Sequence, residues 1–110
     1  MRLPNPENAA VDVRKLRDYC LNPEHPRGRH KARVFSDALG LGVDDAEDLR
    51  EALLSAARSE EAIAGEEDEY GERYVLDFEM RTAVGTATVR SGWIVRHGED
   101  FPRLTSCYVV

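Results

Sequence analysis

The chain has 110 residues, 42% of them hydrophobic and 33% charged, with a formal net charge of −6. That length suits one domain with one core, and the hydrophobic share lies outside the range of disordered chains. The acidic total argues against sequence-independent nucleic-acid binding over the whole surface, which draws its affinity from neutralising phosphates, and no run approaches the roughly twenty apolar residues of a membrane span.

The opening MRLPNPENAA lacks the apolar core of a signal peptide, so a cytoplasmic protein without membrane association is expected. Charge is unevenly spread. Residues 1–34 hold eight Lys/Arg against four Asp/Glu, residues 35–79 three against fifteen, and residues 80–110 four against two. The acidic middle reads as a solvated face or as a docking surface for a basic partner. Cys20 and Cys107 stand far apart with no Cys-x-x-Cys spacing, which fits reduced, partly buried thiols better than a disulfide framework.

In chain order, helices come first. Val11 to Leu21 places Val13, Leu16 and Cys20 at helical spacing, with Asp12 as N-cap and Asn22-Pro23 as the stop. His30 to Gly40 carries a stripe of Ala32, Phe35 and Leu39, and Gly40 suits the left-handed position after a helix. Asp44 to Arg58 opens with Asp44 and Glu47 at capping-box spacing and turns Ala46, Leu49, Leu53, Ala56 and Ala57 inward. After Gly65 the period changes. Gly65 to Tyr70 reads as a polar, acidic connection, and from Glu72 the pattern alternates, with Tyr74, Leu76, Phe78 and Met80 on one side. A turn near Val84-Gly85 leads to a second strand, with Ala87, Val89, Trp93 and Val95 opposite Thr88, Arg90, Ile94 and Arg96. A turn at GEDFP leads to a last strand, RLTSCYVV. The expected class is α+β. About three N-terminal helices (residues 9–59) pack on one face of an antiparallel meander of three to four strands (residues 72–110), in a single domain over 1–110.

Such a sheet leaves its other face open, with Thr88, Arg90 and Arg96 there as surface residues or as the floor of an anion site. The stretch CLNPEHPRGRHKARVF, Cys20 to Phe35, is the other candidate. Its prolines and glycine make a turn, while Arg27, Arg29 and Lys31 gather positive charge at a helix N-terminus, the wrong sign for helix stability and the right one for phosphate. His25 and His30 flank that turn, and imidazole both takes and gives a proton near neutral pH. Neither His25, His30 and His97 nor the cysteines have the spacing of a standard zinc site, and no phosphate-cradling glycine loop occurs, so no metal or cofactor is expected.

The runs KLRDYCLNPEHPRGRHKARVF, EYGERYVLDF and WIVRHGEDFPRLTSCYVV resemble a family of small bacterial proteins with the patterns KLxxYLLNPxHPxGxxKAxxF and PRLxTxY, some similar to modules of bacterial toxin systems. The pattern falls on Asn22, Pro23, His25, Pro26, Gly28, Lys31, Ala32 and Phe35, on Glu69 to Gly71, and on Trp93, Pro102 to Thr105 and Tyr108; His30 lies outside it. The order of helices then meander is also similar to barnase-like ribonuclease toxins, a likeness of fold alone. The expected function is a metal-independent nuclease-like toxin of a toxin–antitoxin pair, acting on RNA at a local basic site. His25 is its acid or base, Lys31 and Arg90 are catalytic phosphate ligands, Thr105 is a supporting catalytic contact, and Arg29 and Arg103 are further phosphate ligands. Two alternatives stand beside it: a non-catalytic module binding a small cognate protein, and a homodimer joined through the apolar last strand.

Overall fold

The computed structural model describes all 110 residues, as an α+β fold of three helices and one four-stranded antiparallel sheet. Helix α1 (Val13–Lys15) begins as expected at Asp12, whose carboxylate accepts the Arg14 backbone N–H at 3.0 Å. It runs straight into a π turn, Leu16–Cys20, where the Leu21 N–H reaches back five residues to the Leu16 carbonyl at 2.8 Å. The wider turn keeps Leu16 and Cys20 buried and leaves Tyr19 at the surface.

Helix α2 (Arg29–Leu39) buries Ala32, Phe35 and Leu39 and ends at Gly40, whose φ of 68° is the left-handed conformation glycine adopts without strain. Helix α3 (Ala46–Ser59) buries Ala46, Leu49, Leu53, Ala56 and Ala57. Its N-terminal box lies two residues before the expected Asp44–Glu47 pair. A 3₁₀ turn, Val43–Asp45, precedes the helix, and the Asp45 carboxylate accepts the Gly42 N–H at 2.8 Å while the Asp45 N–H bonds the Gly42 carbonyl.

The sheet has strands β1 (Ile63–Asp68), β2 (Gly71–Arg81), β3 (Thr86–Arg96) and β4 (Arg103–Val109), in the order β1-β2-β3-β4. The acidic segment expected as a connection is therefore largely strand: all six β1 residues are exposed, and the strand exists because β2 offers it a backbone edge. Only Glu69 and Tyr70 form the turn, held by the Asp68 carboxylate, which accepts the Tyr70 and Gly71 N–H groups. Tyr74, Leu76 and Phe78 of β2 are buried as the alternation predicts. On β3, Ser91 completes the buried side between Val89 and Trp93. Ile94, expected on the wet side, is also buried, between its neighbours Arg73 and Arg103.

One cluster of 21 buried residues joins these elements, from Leu3 through Leu16, Phe35, Leu49 and Leu53 to Trp93 and Cys107. Helix α2 lies against β3 and β4, and α3 against β2. At the outer edge of β4, Ala10 exchanges backbone hydrogen bonds with the strand's start: its N–H bonds Pro102 and its carbonyl receives the Leu104 N–H. No helix is long and apolar enough to cross a membrane.

Candidate functional site

Between the π turn and β4 lies an open groove of about 660 Å³ lined by Asp12, Arg14, Lys15, Asp18, Tyr19, His25, Thr105 and Ser106. Its far wall comes from an irregularity in the sheet. Gly92 of β3 pairs with Ser106, but Trp93 pairs with Leu104, so Thr105 is the extra residue of a bulge. Bulges re-aim a side chain at a sheet edge. Gly92 makes room for it: a Cβ there would stand 2.9 Å from Thr105 Oγ1 and 3.5 Å from Ser106 Oγ. The Lys15 ammonium reaches the Thr105 carbonyl at 3.4 Å, which ties the helix to the bulge.

The near wall is the loop after the π turn. Asn22 opens it as the side chain accepts the Glu24 N–H. His25 Nδ1 then accepts two backbone N–H groups, from Arg27 at 3.1 Å and Gly28 at 3.2 Å, and the His25 carbonyl receives the Arg29 N–H that starts α2. The Tyr19 ring packs edge-on against the imidazole, with centroids 4.4 Å apart. With its Nδ1 lone pair committed, the neutral ring carries its proton on Nε2 and presents a hydrogen-bond donor. Protonating Nδ1 as well breaks both backbone bonds. This geometry suits charge stabilisation better than the proton shuttle expected from histidine alone.

The remaining expected residues divide among other places. Lys31 lies over the Tyr108 ring, 4.2 Å from its centroid, and makes no ion pair. Arg90, opposite Tyr108 across β3 and β4, grips Asp77 through two bonds of 2.9 Å, and this bonding raises its pKa further, with the Tyr108 hydroxyl contributing. Arg103 makes the same kind of fork with Glu99, at 2.9 and 2.8 Å, beneath Phe101. Asp77 and Glu99 are in turn held below the usual carboxylate range by these arginines. Arg29 is exposed and free of ion pairs. His30 is exposed, and His97 shares a hydrogen bond with the Asp68 carbonyl at the hairpin.

The structure thus brings His25 and Thr105 to one groove and Lys31 and Arg90 to one tyrosine. The two places adjoin, because Ser106 and Tyr108 share a face of β4 about 7 Å apart along the strand. Lys15, Tyr19, Ser106 and Tyr108 belong to this surface, and of these the reading of the sequence named only Tyr108, as a pattern position without a role. Tyr108 and the EYG and PRL stretches lay in the recognised pattern, but nothing in a linear pattern marks a bulge. No three His, Cys, Asp or Glu side chains gather at a common point.

A family model described as a domain of unknown function, DUF6883, matches residues 2–110, and the chain belongs to that family. No curated protein matches it. Among solved structures, a chain of a contact-dependent growth inhibition toxin–immunity protein complex from Klebsiella pneumoniae 342 superposes with a TM-score of 0.70. It covers 91% of this chain and 98% of that one at 15% identity, which is a likeness of fold.

Proposed function

We propose that this chain is a toxin-type domain that cleaves RNA in the cytoplasm without a metal, at the groove between the π turn and β4. The observation that carries this reading is that His25 and Lys15 line one groove together with the hydroxyl residues Thr105 and Ser106. The likeness to a structure of a toxin–immunity complex supports it at the level of fold. In this reading the helices cover one face of the sheet, and RNA approaches over β4 from the other.

The 2′-hydroxyl oxygen attacks the adjacent phosphorus, the bond to the 5′ oxygen breaks, and a 2′,3′-cyclic phosphate remains. The 2′ proton passes to solvent and the leaving oxygen takes one from it. His25 Nε2–H and the Thr105 and Ser106 hydroxyls donate to the phosphoryl oxygens as their charge grows, the role of preorganised donors in general. Arg90 and Arg103 are neutralised by Asp77 and Glu99, which leaves Lys15, Lys31 and the neighbouring Arg29 as the cations for flanking phosphates. Purified protein incubated with RNA in EDTA at neutral pH tests this. Cyclic-phosphate ends are expected from wild type and a loss of about 10²-fold from Thr105→Val; wild type and His25→Ala equally inert overturns it.

The outer strand supports a second reading, binding of a small cognate protein without turnover. β1 is an unpaired edge, Ile63 is 73% exposed, and Glu60 to Glu72 contain seven carboxylates and no Lys or Arg, a surface complementary to a basic partner. The edge of β4 suits a homodimer less, since Ala10 and Lys15 already occupy its first carbonyl and N–H groups.

A further inference from the structure

A second, smaller cleft of about 140 Å³ opens at the start of β4, lined by Ala10, Asp12, Lys15, Arg96, Arg103 and Leu104. It adjoins the groove, because Asp12 and Lys15 line both. Ala10 is held there by its backbone bonds to Pro102 and Leu104, and Arg96 is the exposed last residue of β3.

Hydrogen bonding around this cleft uses up the carboxylates and leaves donors over. Asp12 accepts Arg14 Nε on one oxygen and Arg14 Nη2 on the other. Glu99 is occupied in the same way by Arg103 Nε and Nη2, which leaves Arg103 Nη1 as a donor. Lys15 donates one N–H to the Thr105 carbonyl and keeps two. Arg96 forms no ion pair. The uncompensated charges lining the cleft are therefore both positive, Lys15 and Arg96.

The cleft also has a place in a sequence along β4. Arg103 stands at the cleft, Thr105 and Ser106 at the groove, and Tyr108 beneath the Lys31 ammonium. Arg103 and Thr105 are two residues apart, at most about 7 Å along a strand. Neighbouring phosphates of one nucleic-acid strand span that distance.

We propose that this cleft is a second phosphate subsite, holding the phosphate next to the scissile one in an RNA strand laid along β4, with Arg96 as its principal cation. The Arg96 guanidinium offers a fork to the phosphoryl oxygens, Arg103 Nη1 adds a donor, and the Lys15 ammonium lies between the two phosphates and offsets their repulsion. The substrate class is then an oligonucleotide, and a dinucleotide with one phosphate fills only the groove. This rests on the reading of the groove as a site of RNA cleavage.

The test compares a dinucleotide with two trinucleotides that add one phosphate on the 5′ or the 3′ side, the added step lacking its 2′-hydroxyl so that one bond alone is cleavable. In wild type the added phosphate is expected to raise kcat/KM by about 10-fold on one of the two sides, through KM. Arg96→Gln is expected to bring that ratio to about one, and Arg96→Lys to keep part of it. Arg81→Gln removes the same charge at the opposite end of the β2–β3 pair and is expected to keep the whole ratio. Each ratio is taken within one protein, so a loss of folded fraction cancels. A wild-type ratio near one for both trinucleotides, a ratio that survives Arg96→Gln, or an equal loss in Arg81→Gln overturns the subsite while leaving RNA cleavage standing. Failure of wild type to cleave any of the three overturns the cleavage reading instead. The subsite is then read from binding of a 2′-O-methyl oligonucleotide, whose salt dependence is expected to fall by about 0.7 in log–log slope in Arg96→Gln. An unchanged slope, or no binding by wild type, overturns it.

Discussion

His25 Nδ1 accepts the Gly28 backbone N–H at 3.2 Å, and the same nitrogen accepts the Arg27 N–H at 3.1 Å. One side chain therefore shapes the loop that starts α2 and also lines the groove. The two roles separate by substitution. Asparagine places its carbonyl oxygen near the position of Nδ1 and has nothing at Nε2, while alanine lacks both. His25→Asn is expected to keep most of the stability and His25→Ala to lose about 1 kcal/mol, as for a lost cap. Both are expected to lose RNA cleavage by about 10²-fold. Urea unfolding alongside a cleavage assay checks the pair; cleavage that survives in His25→Asn removes Nε2 from the mechanism.

Gly92 and Thr105 allow a sharper experiment. A methyl group at position 92 meets Thr105 Oγ1 at 2.9 Å, so Gly92→Ala pushes the bulged threonine out of place. The expected cost is about 1 to 3 kcal/mol of stability, the range for overpacking, together with reduced cleavage. In the double variant Gly92→Ala, Thr105→Ala the offending oxygen is gone. Stability is expected to recover toward that of Thr105→Ala alone while cleavage stays lost, a coupling that a double-mutant cycle reads directly. Additive stabilities would place the clash elsewhere.

Acid weakens this protein through its arginine-held carboxylates. Asp68, Asp77 and Glu99 are lowered chiefly by hydrogen bonds from Arg73, Arg90 and Arg103. Each has a lower pKa folded than unfolded, so its contribution is fully present above the unfolded value, about 4. That contribution is lost as pH falls through the folded value. The pairs are partly exposed, and each contribution is small. Unfolding midpoints measured from about pH 6 down to pH 2 are expected to fall more steeply for wild type than for Asp77→Asn. Parallel curves would show that the Asp77–Arg90 fork adds nothing to folding.

Periodicity made most of the fold legible. In α3 the stripe of Leu49, Leu53 and Ala56 repeats at helical spacing, and in β2 Tyr74, Leu76 and Phe78 alternate, because each element has one dry side. β1 has no dry side: its residues are all exposed, and its strand conformation comes from pairing with β2, which composition does not record. The π turn was hidden for a different reason. One extra residue per turn leaves Leu16 and Cys20 inward, so the apolar pattern reads as an ordinary helix. At the site, His25 and Thr105 were both named from the sequence. Their neighbours Lys15 and Tyr19 lie on a helix whose spacing singles out only Val13, Leu16 and Cys20. The forks Asp77–Arg90 and Arg103–Glu99 depend on strand register and turn geometry, and they change which cations are free for phosphate.

Ser91 is the one buried polar residue of the core, and its register explains it. It faces Leu76 across β2 and β3, donates its hydroxyl proton to the Leu76 carbonyl at 2.7 Å, and accepts the Trp93 indole N–H at 2.9 Å. The hydroxyl thus satisfies a fully buried tryptophan that has no other partner. Ser91→Ala leaves that N–H without an acceptor in a dry core, at an expected cost of about 1 to 3 kcal/mol. Ser91→Cys retains a weak acceptor and is expected to fall between. Chemical denaturation gives the cost, and the Trp93 indole proton resonance, with its exchange rate, reports the broken bond. A stable Ser91→Ala protein with an unshifted indole signal would show that the bond is not formed in solution.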